Sequence, residues 1–174
     1  KGVTSVVIES SGFAEGGAEG QILQQEIDAI RQTYGLRIMG PNCLGVLNTE
    51  NNFCCFYGIH DDNFQTFATE TGSVSYIVQS GGIVVIVMEA FASDVVKVNK
   101  IVSIGNKSDI DEADMIAYFN EDSKTQVIGM YLENIKNGRK FLETARRVTK
   151  PLIVFKTGRT DEGVRAAQSH TAGL

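Results

Sequence analysis

The sequence predicts an α/β protein built on a parallel sheet. Three observations carry this. From residue 72 onward, short β-branched runs alternate with stretches of helical periodicity. Each run ends in a turn rich in glycine, polar or charged residues. Strands that alternate with amphipathic helices pair in parallel through right-handed crossovers, which puts helices on both faces of the sheet.

Residues 3–8 are β-branched and read as a buried strand. A loop over 9–17 follows, then a helix over roughly 19–34 with Ile22, Leu23, Ile27 and Ile30 at helical spacing. Gly35 suits the residue that ends it. Residues 36–39 form the next short strand. Gly40-Pro41-Asn42-Cys43-Leu44-Gly45-Val46-Leu47-Asn48 reads by itself as a turn, with glycines for unusual φ and proline to fix it. Residues 51–71 mix polar and aromatic types without a period. They read as an inter-domain connection with a short extended piece at 53–56, and His60 within them reads as part of a solvated loop. The expected domains are therefore 1–71 and 72–174.

In the second part, 74–78 is the first strand. The alternation calls for a helix from Gly81, although Ile83-Val84-Val85-Ile86-Val87 favours a strand by local propensity. Residues 101–104 form the second strand. The helix over 112–120 is capped by Asp109 or Asp111 and turns Met115, Ile116 and Phe119 to one side. Residues 127–132 form the third strand. Asn137 caps a helix reaching 148, with Phe141, Leu142, Ala145 and Val148 inward, and Lys150-Pro151 ends it. Residues 152–155 form the fourth strand. This arrangement is flavodoxin-like.

The composition, 43% hydrophobic and 21% charged, is that of an ordinary globular chain. A formal charge of −5 gives no electrostatic footprint for nucleic acid. Two histidines and three cysteines, Cys43 and the adjacent Cys54-Cys55, make neither a zinc pattern nor a disulfide framework. That cysteine usage fits a reducing compartment, and no signal peptide is visible. The apolar stretch 74–92 is interrupted by Gln79-Ser80-Gly81-Gly82 and carries Glu89, so it predicts two buried elements and no membrane span. The chain starts at Lys1, close to a strand, and reads as a fragment or a processed chain.

Ligands of open parallel sheets bind at the carboxyl ends of the strands. Four segments fall there: Gln79-Ser80-Gly81-Gly82, Gly105-Asn106-Lys107-Ser108-Asp109, Glu133, and Lys156 to Arg159 followed by His170. A helix start with serine and glycine suits a phosphate, since free N–H groups and the helix dipole both favour an anion. By itself such a segment is as readily a plain turn. Glu133 reads either as an exposed carboxylate at a strand end or as a hydrogen-bond acceptor for one imidazole nitrogen of His170. Lys107, Lys156 and Arg159 read as cations for a phosphate or as solvated surface charges. His170 sits among small residues that leave its ring accessible. Histidine can act as acid, base or nucleophile near neutral pH, and a plain surface histidine is the alternative.

Taken together, these segments resemble the ADP-forming acyl-CoA synthetases, relatives of succinyl-CoA synthetase. The tail matches that family's pattern of a strand, then K-x-G-R-T, then S-H-T-G, through Lys156-Thr157-Gly158-Arg159-Thr160 and Ser169-His170-Thr171. Ala172-Gly173-Leu174 stands where the commonest pattern has glycine and then alanine. G-P-N-C-L-G is a signature of the family's CoA-binding domain, and Q-S-G, S-I-G-N-K-S-D and Y-L-E follow in order. The G-F-A-E loop with Glu15 also resembles the family. The resemblance covers nearly the whole chain, from the latter part of a Rossmann-like CoA-binding domain through a flavodoxin-like ligase domain.

The resemblance implies a role for each segment. His170 would be the phosphorylated histidine, with Glu133 as its hydrogen-bond partner. Ser80, Gly81 and Gly82, the last where the family usually has alanine, would hold phosphate. Asn42 and Cys43 would lie near the thiol end of CoA, with no nucleophilic role for Cys43. The implied reaction interconverts acyl-CoA, phosphate and ADP with acid, CoA and ATP, with acetate as the expected acid. ADP or ATP and Mg2+ would bind an ATP-grasp domain or subunit absent from this chain, so the fragment alone would be inactive. A cytoplasmic, oligomeric enzyme with no nucleic-acid or membrane partner is implied. The rival expectations are a CoA- or acyl-CoA-sensing module fused to a protein acetyltransferase, and a flavodoxin-like domain without a ligand.

Overall fold

A computed structural model describes residues 2–57, 71–91, 97–158 and 160, with backbone alone at 89–91. His60, Arg159, Ser169, His170 and Thr171 lie outside the described residues. The chain opens with strand β1 (Ser5–Val7), a single 3-10 turn (Ala14–Gly16), helix α1 (Gly17–Tyr34) and strand β2 (Arg37–Met39). β1 and β2 pair in parallel as a two-stranded sheet. Helix α1 ends where Gly35 takes a left-handed φ of 65° and donates to the Arg31 carbonyl.

The burial expected of the first strand is not seen, although Ile38 and Met39 of β2 are buried. Val3 and Val7 are 65% and 42% exposed, and Ile22, Leu23 and Ile30 on α1 are 46–57% exposed. Two strands and one helix supply too little surface to cover these faces. Helical spacing made the helix legible but did not say which face is covered.

Among the described residues, the main sheet has six strands in the order β4-β3-β6-β5-β7-β8. These are β3 (Val46–Asn48), β4 (Phe53–Cys54), β5 (Val74–Val78), β6 (Val98–Ser103), β7 (Val127–Leu132) and β8 (Leu152–Lys156). β6, β5, β7 and β8 pair in parallel, as the alternation predicts. β4 lies within the short extended piece expected at 53–56, whereas β3 falls in the stretch read as a turn. They pair antiparallel, and β3 lies against β6 through Val46–Val102, Leu47–Ile101 and Asn48–Lys100. β6 begins at Val98, earlier than the apolar run suggested, because Asn99 and Lys100 are buried in a polar network.

Among the described residues, three helices cover the sheet: α2 (Gly81–Phe91), α3 (Glu112–Glu121) and α4 (Gly138–Ala145). α2 is a helix despite its β-branched run, because Val84 and Met88 bury one turn apart against Val78, Ile101 and Leu47. Tertiary burial outweighs a propensity deficit of a few tenths of a kcal/mol per residue. Met115, Ile116 and Phe119 of α3, joined by Phe141 and Val148, pack on the opposite face against Ile77, Val102, Ile128 and Met130. Asp111, not Asp109, caps α3: its side chain accepts from the Asp114 N–H, and Asp114 reciprocates. Asn137 caps α4 as expected. α4 stops at Ala145, short of 148, and Leu142 is 54% exposed where an inward position was expected.

Candidate active site

Two neighbouring parallel strands, β5 and β7, send their chains to opposite faces, into α2 and α4 respectively. A crevice opens between two such strands just beyond their carboxyl ends. The Q-S-G-G turn and Glu133 flank this crevice. Gln79 N–H donates to the Tyr131 carbonyl at 3.0 Å, the last rung of the ladder. Ser80 immediately precedes α2, its carbonyl accepting from the Val84 N–H at 3.3 Å. The first-turn N–H groups at Gly81 and Gly82 have no partner within the helix.

Glu133 is 7% exposed, so it is not the exposed carboxylate that a strand end allows. Its backbone N–H donates to Gln79 Oε1 at 2.9 Å, and the Asn134 N–H donates to the same oxygen at 3.1 Å. Gln79 Nε2 returns a bond to Asn134 Oδ1 at 2.8 Å. Lys156 Nζ donates to the Glu133 carbonyl at 2.7 Å, and Lys107 Nζ to the Asn134 carbonyl at 2.9 Å.

Lys107 corrects the sequence reading on both counts. It is neither a surface charge nor a cation open to a phosphate, because its side chain is wholly buried against Glu112 at 3.0 Å. Burial pulls its pKa down, and the Glu112 carboxylate opposes that pull. Lys136, also lowered by burial, donates to the Asn106 and Lys107 carbonyls.

The G-P-N-C-L-G loop packs onto this region from the first unit. Asn106 N–H donates to the Pro41 carbonyl at 2.8 Å, Ser108 N–H to Gly40 at 3.0 Å and Ile110 N–H to Ile38 at 3.0 Å. A side chain on Gly105 would put its Cβ 2.2 Å from the Pro41 oxygen, and φ there is 53°, so the close approach requires glycine. Asp109 ties the same seam, accepting from the Ile38 N–H at 3.0 Å and pairing with Arg31 and Arg37. Asn42, in a left-handed turn at φ 56°, donates to Asn106 Oδ1. Asn106 Nδ2 in turn donates to Glu15, which also accepts from the Gly12 N–H. Burial would raise the Glu15 pKa, but these hydrogen bonds outweigh it and hold the carboxyl below its usual value.

The loop and the helix start share one open cavity of about 690 Å3, lined by Glu9, Ser10, Ser11, Asn42, Cys43, Leu44, Tyr57 and Gly81. The structure thus brings Asn42 and Cys43 to Gly81, across a distance in sequence that left their relation unread. Cys43 is 6% exposed and its thiol donates to the Ile8 carbonyl. Burial pushes its pKa up to about 12, which keeps it a neutral thiol. Among the described residues no cluster of His, Cys, Asp and Glu is arranged to hold a metal ion, and no helix is long and apolar enough to cross a membrane. Sequence reasoning named Gln79 only as part of a turn and did not single out Asn134. The usable signal was a glutamine placed directly after an apolar strand.

Comparison with known proteins identifies the fold and the family. The family described as the succinyl-CoA ligase like flavodoxin domain matches residues 71–174. Over its whole length the chain is 40% identical to the ADP-forming acetate–CoA ligase II of Archaeoglobus fulgidus, spanning 25% of that protein. It is 39% identical to the alpha subunit of the ADP-forming acetate–CoA ligase II of Pyrococcus furiosus, spanning 37% of it. A solved structure of acetyl-coenzyme A synthetase 1 from Ca. Korarchaeum cryptofilum, in complex with phosphate and ADP, superposes with a TM-score of 0.86 at 37% identity over 99% of this chain and 36% of that one. With its mostly parallel sheet and a family match over more than half its length, the chain belongs to the succinyl-CoA-ligase-like flavodoxin family.

Proposed function

We propose that this chain is the CoA- and phosphate-handling part of an ADP-forming acyl-CoA ligase, with acetate as the acid. The observation that carries this reading is the shared cavity, where Asn42 and Cys43 meet Gly81 at the start of α2. A thioester whose sulfur end lies at Asn42 and Cys43 would present its carbonyl toward the helix start. Phosphate held at Ser80, Gly81 and Gly82 would then attack that carbonyl. The C–S bond breaks, a C–O bond forms, and CoA leaves as the thiol after taking a proton. The resulting acyl phosphate passes its phosphoryl group to His170 and releases the carboxylate. Phosphohistidine then delivers the group to ADP, giving ATP.

Glu133 accepts a hydrogen bond from one imidazole nitrogen of His170 in this scheme. That bond selects the tautomer and leaves the other nitrogen nucleophilic. ADP or ATP and Mg2+ bind an ATP-grasp domain or subunit outside these residues, in a cytoplasmic oligomer. The domain reading, 1–71 for CoA and 72–174 for phosphoryl transfer, belongs to the same proposal.

The test uses the full-length protein. Incubation with acyl-CoA and phosphate, or with ATP and Mg2+, should label His170 with an acid-labile, base-stable phosphoryl group, and His170→Ala should abolish it. A label that persists in His170→Ala would overturn the reading and favour the sensing module.

A further inference from the structure

We propose that Gln79 is a positioning residue that acts on phosphoryl transfer through Glu133. The inference rests on the role assigned to Glu133 above. Gln79 is 1% exposed, and a buried amide is costly unless its polar atoms are matched. Here they are matched to one target. Oε1 accepts from two successive N–H groups, Glu133 and Asn134, and Nε2 donates to Asn134 Oδ1.

The position explains the need. The β5–β7 ladder ends at the Gln79 N–H bond to Tyr131, and beyond it the two chains part toward opposite faces. The N–H groups of Glu133 and Asn134 follow the end of the paired register and both donate to Gln79 Oε1. The Gln79 side chain replaces the missing strand there. Methionine would fill the same volume, so packing alone does not demand glutamine. An apolar side chain would strand two donors in a buried turn, at the cost of their desolvation.

The turn is braced from three strand ends. Gln79 follows β5, Lys107 follows β6 and holds the Asn134 carbonyl, and Lys156 closes β8 and holds the Glu133 carbonyl. Gln79 alone is also bonded in sequence to Ser80 and so to the phosphate turn. One side chain thus fixes the spacing between the phosphate turn and Glu133, and misplacing a reacting group by a fraction of an ångström lowers the rate of a positioned transfer.

A double-mutant cycle on the full-length protein tests this. The rate of His170 labelling by ATP and Mg2+, per folded molecule, is measured for Gln79→Met, Glu133→Gln and the double variant. Gln79→Met should slow labelling about tenfold in the parent and less than twofold in the Glu133→Gln background. Defects that multiply would overturn the inference while leaving the role of Glu133 intact. Labelling at the parental rate in Glu133→Gln would instead remove the role of Glu133, and the inference with it. If Gln79→Met does not fold, Gln79→Glu keeps the size and the accepting oxygen. Its defect should likewise vanish in the Glu133→Gln background, and a defect of equal size in both backgrounds overturns the inference.

Discussion

Lys107 Nζ lies 3.0 Å from Glu112 Oε2, with the two side chains 0% and 2% exposed. Removing the cation alone would leave a buried carboxylate without its charge partner. Lys107→Met should therefore destabilise the chain by about 3–5 kcal/mol. Pairing it with Glu112→Leu should recover most of the loss, because two apolar side chains need no charge balance. Chemical denaturation of the three variants checks this, and equal losses in the single and double variants would contradict it.

Gly81 separates fold from ligand. A Cβ placed there would sit 3.8 Å from Leu44 Cδ1, an ordinary contact, so Gly81→Ala should melt within a degree or two of the parent. Gly81→Val puts branched carbons over the helix start. Its affinity for inorganic phosphate should fall about tenfold or more, since an anion needs close approach to the N–H groups. Calorimetric titration with phosphate measures both variants, and unchanged affinity in Gly81→Val would count against the site.

Cys43 lines the cavity yet should be chemically quiet. With its pKa pushed up to about 12, the thiolate fraction at pH 8 is roughly 10³-fold below that of an ordinary cysteine. Alkylation by iodoacetamide should accordingly be slowest at Cys43 of the three cysteines, read by peptide mass mapping over time. Rapid modification of Cys43 at pH 8 would show a thiol unlike the one described.

Acid should act through Asp122. Burial would raise its pKa, but bonds from Lys100 Nζ at 2.7 Å and Thr125 Oγ1 at 2.6 Å bring it to about 2, against an ordinary 3.8. A depressed folded-state pKa gives stability that is complete above the unfolded value and lost as pH falls through the folded one. About 2 kcal/mol should therefore disappear between pH 4 and pH 2. Asp122→Asn should lower stability at pH 6 and flatten that part of the pH profile, as thermal melts across the range would record.

The parallel strands of the main sheet were legible because each contains a short apolar run followed by a turn, although β6 also takes in Asn99 and Lys100 ahead of its run. The cap at Asn137 was legible for a local reason, a short polar side chain placed before an apolar helix, while the same signal left Asp109 and Asp111 open for α3. β3 was not legible. Its residues Val46-Leu47-Asn48 are few, and their partner β6 lies some fifty positions away, so pairing decides the strand and no local pattern does. The burial of Lys107 was equally hidden, since a lysine in a glycine-containing loop looks like surface until Glu112 and the Asn134 carbonyl are seen around it. Among the site residues, it was the family resemblance that implied one chemistry for G-P-N-C-L-G and Q-S-G. Only the fold brings Asn42, Cys43 and Gly81 to one cavity.

The antiparallel pairing of β3 with β6 bears on where the polypeptide can be cut. A truncation that starts at residue 71, the first position of the family match, would discard β3 and β4 and strip the edge from β6. All six residues of β6 are buried in the intact sheet, so the exposed rim would present unpaired amides beside fresh apolar surface. Such a rim templates intermolecular β-pairing. A recombinant piece beginning before Val46 keeps its own edge guard, whereas one beginning at 71 would self-associate through β6 and confound any assay of phosphate or CoA binding.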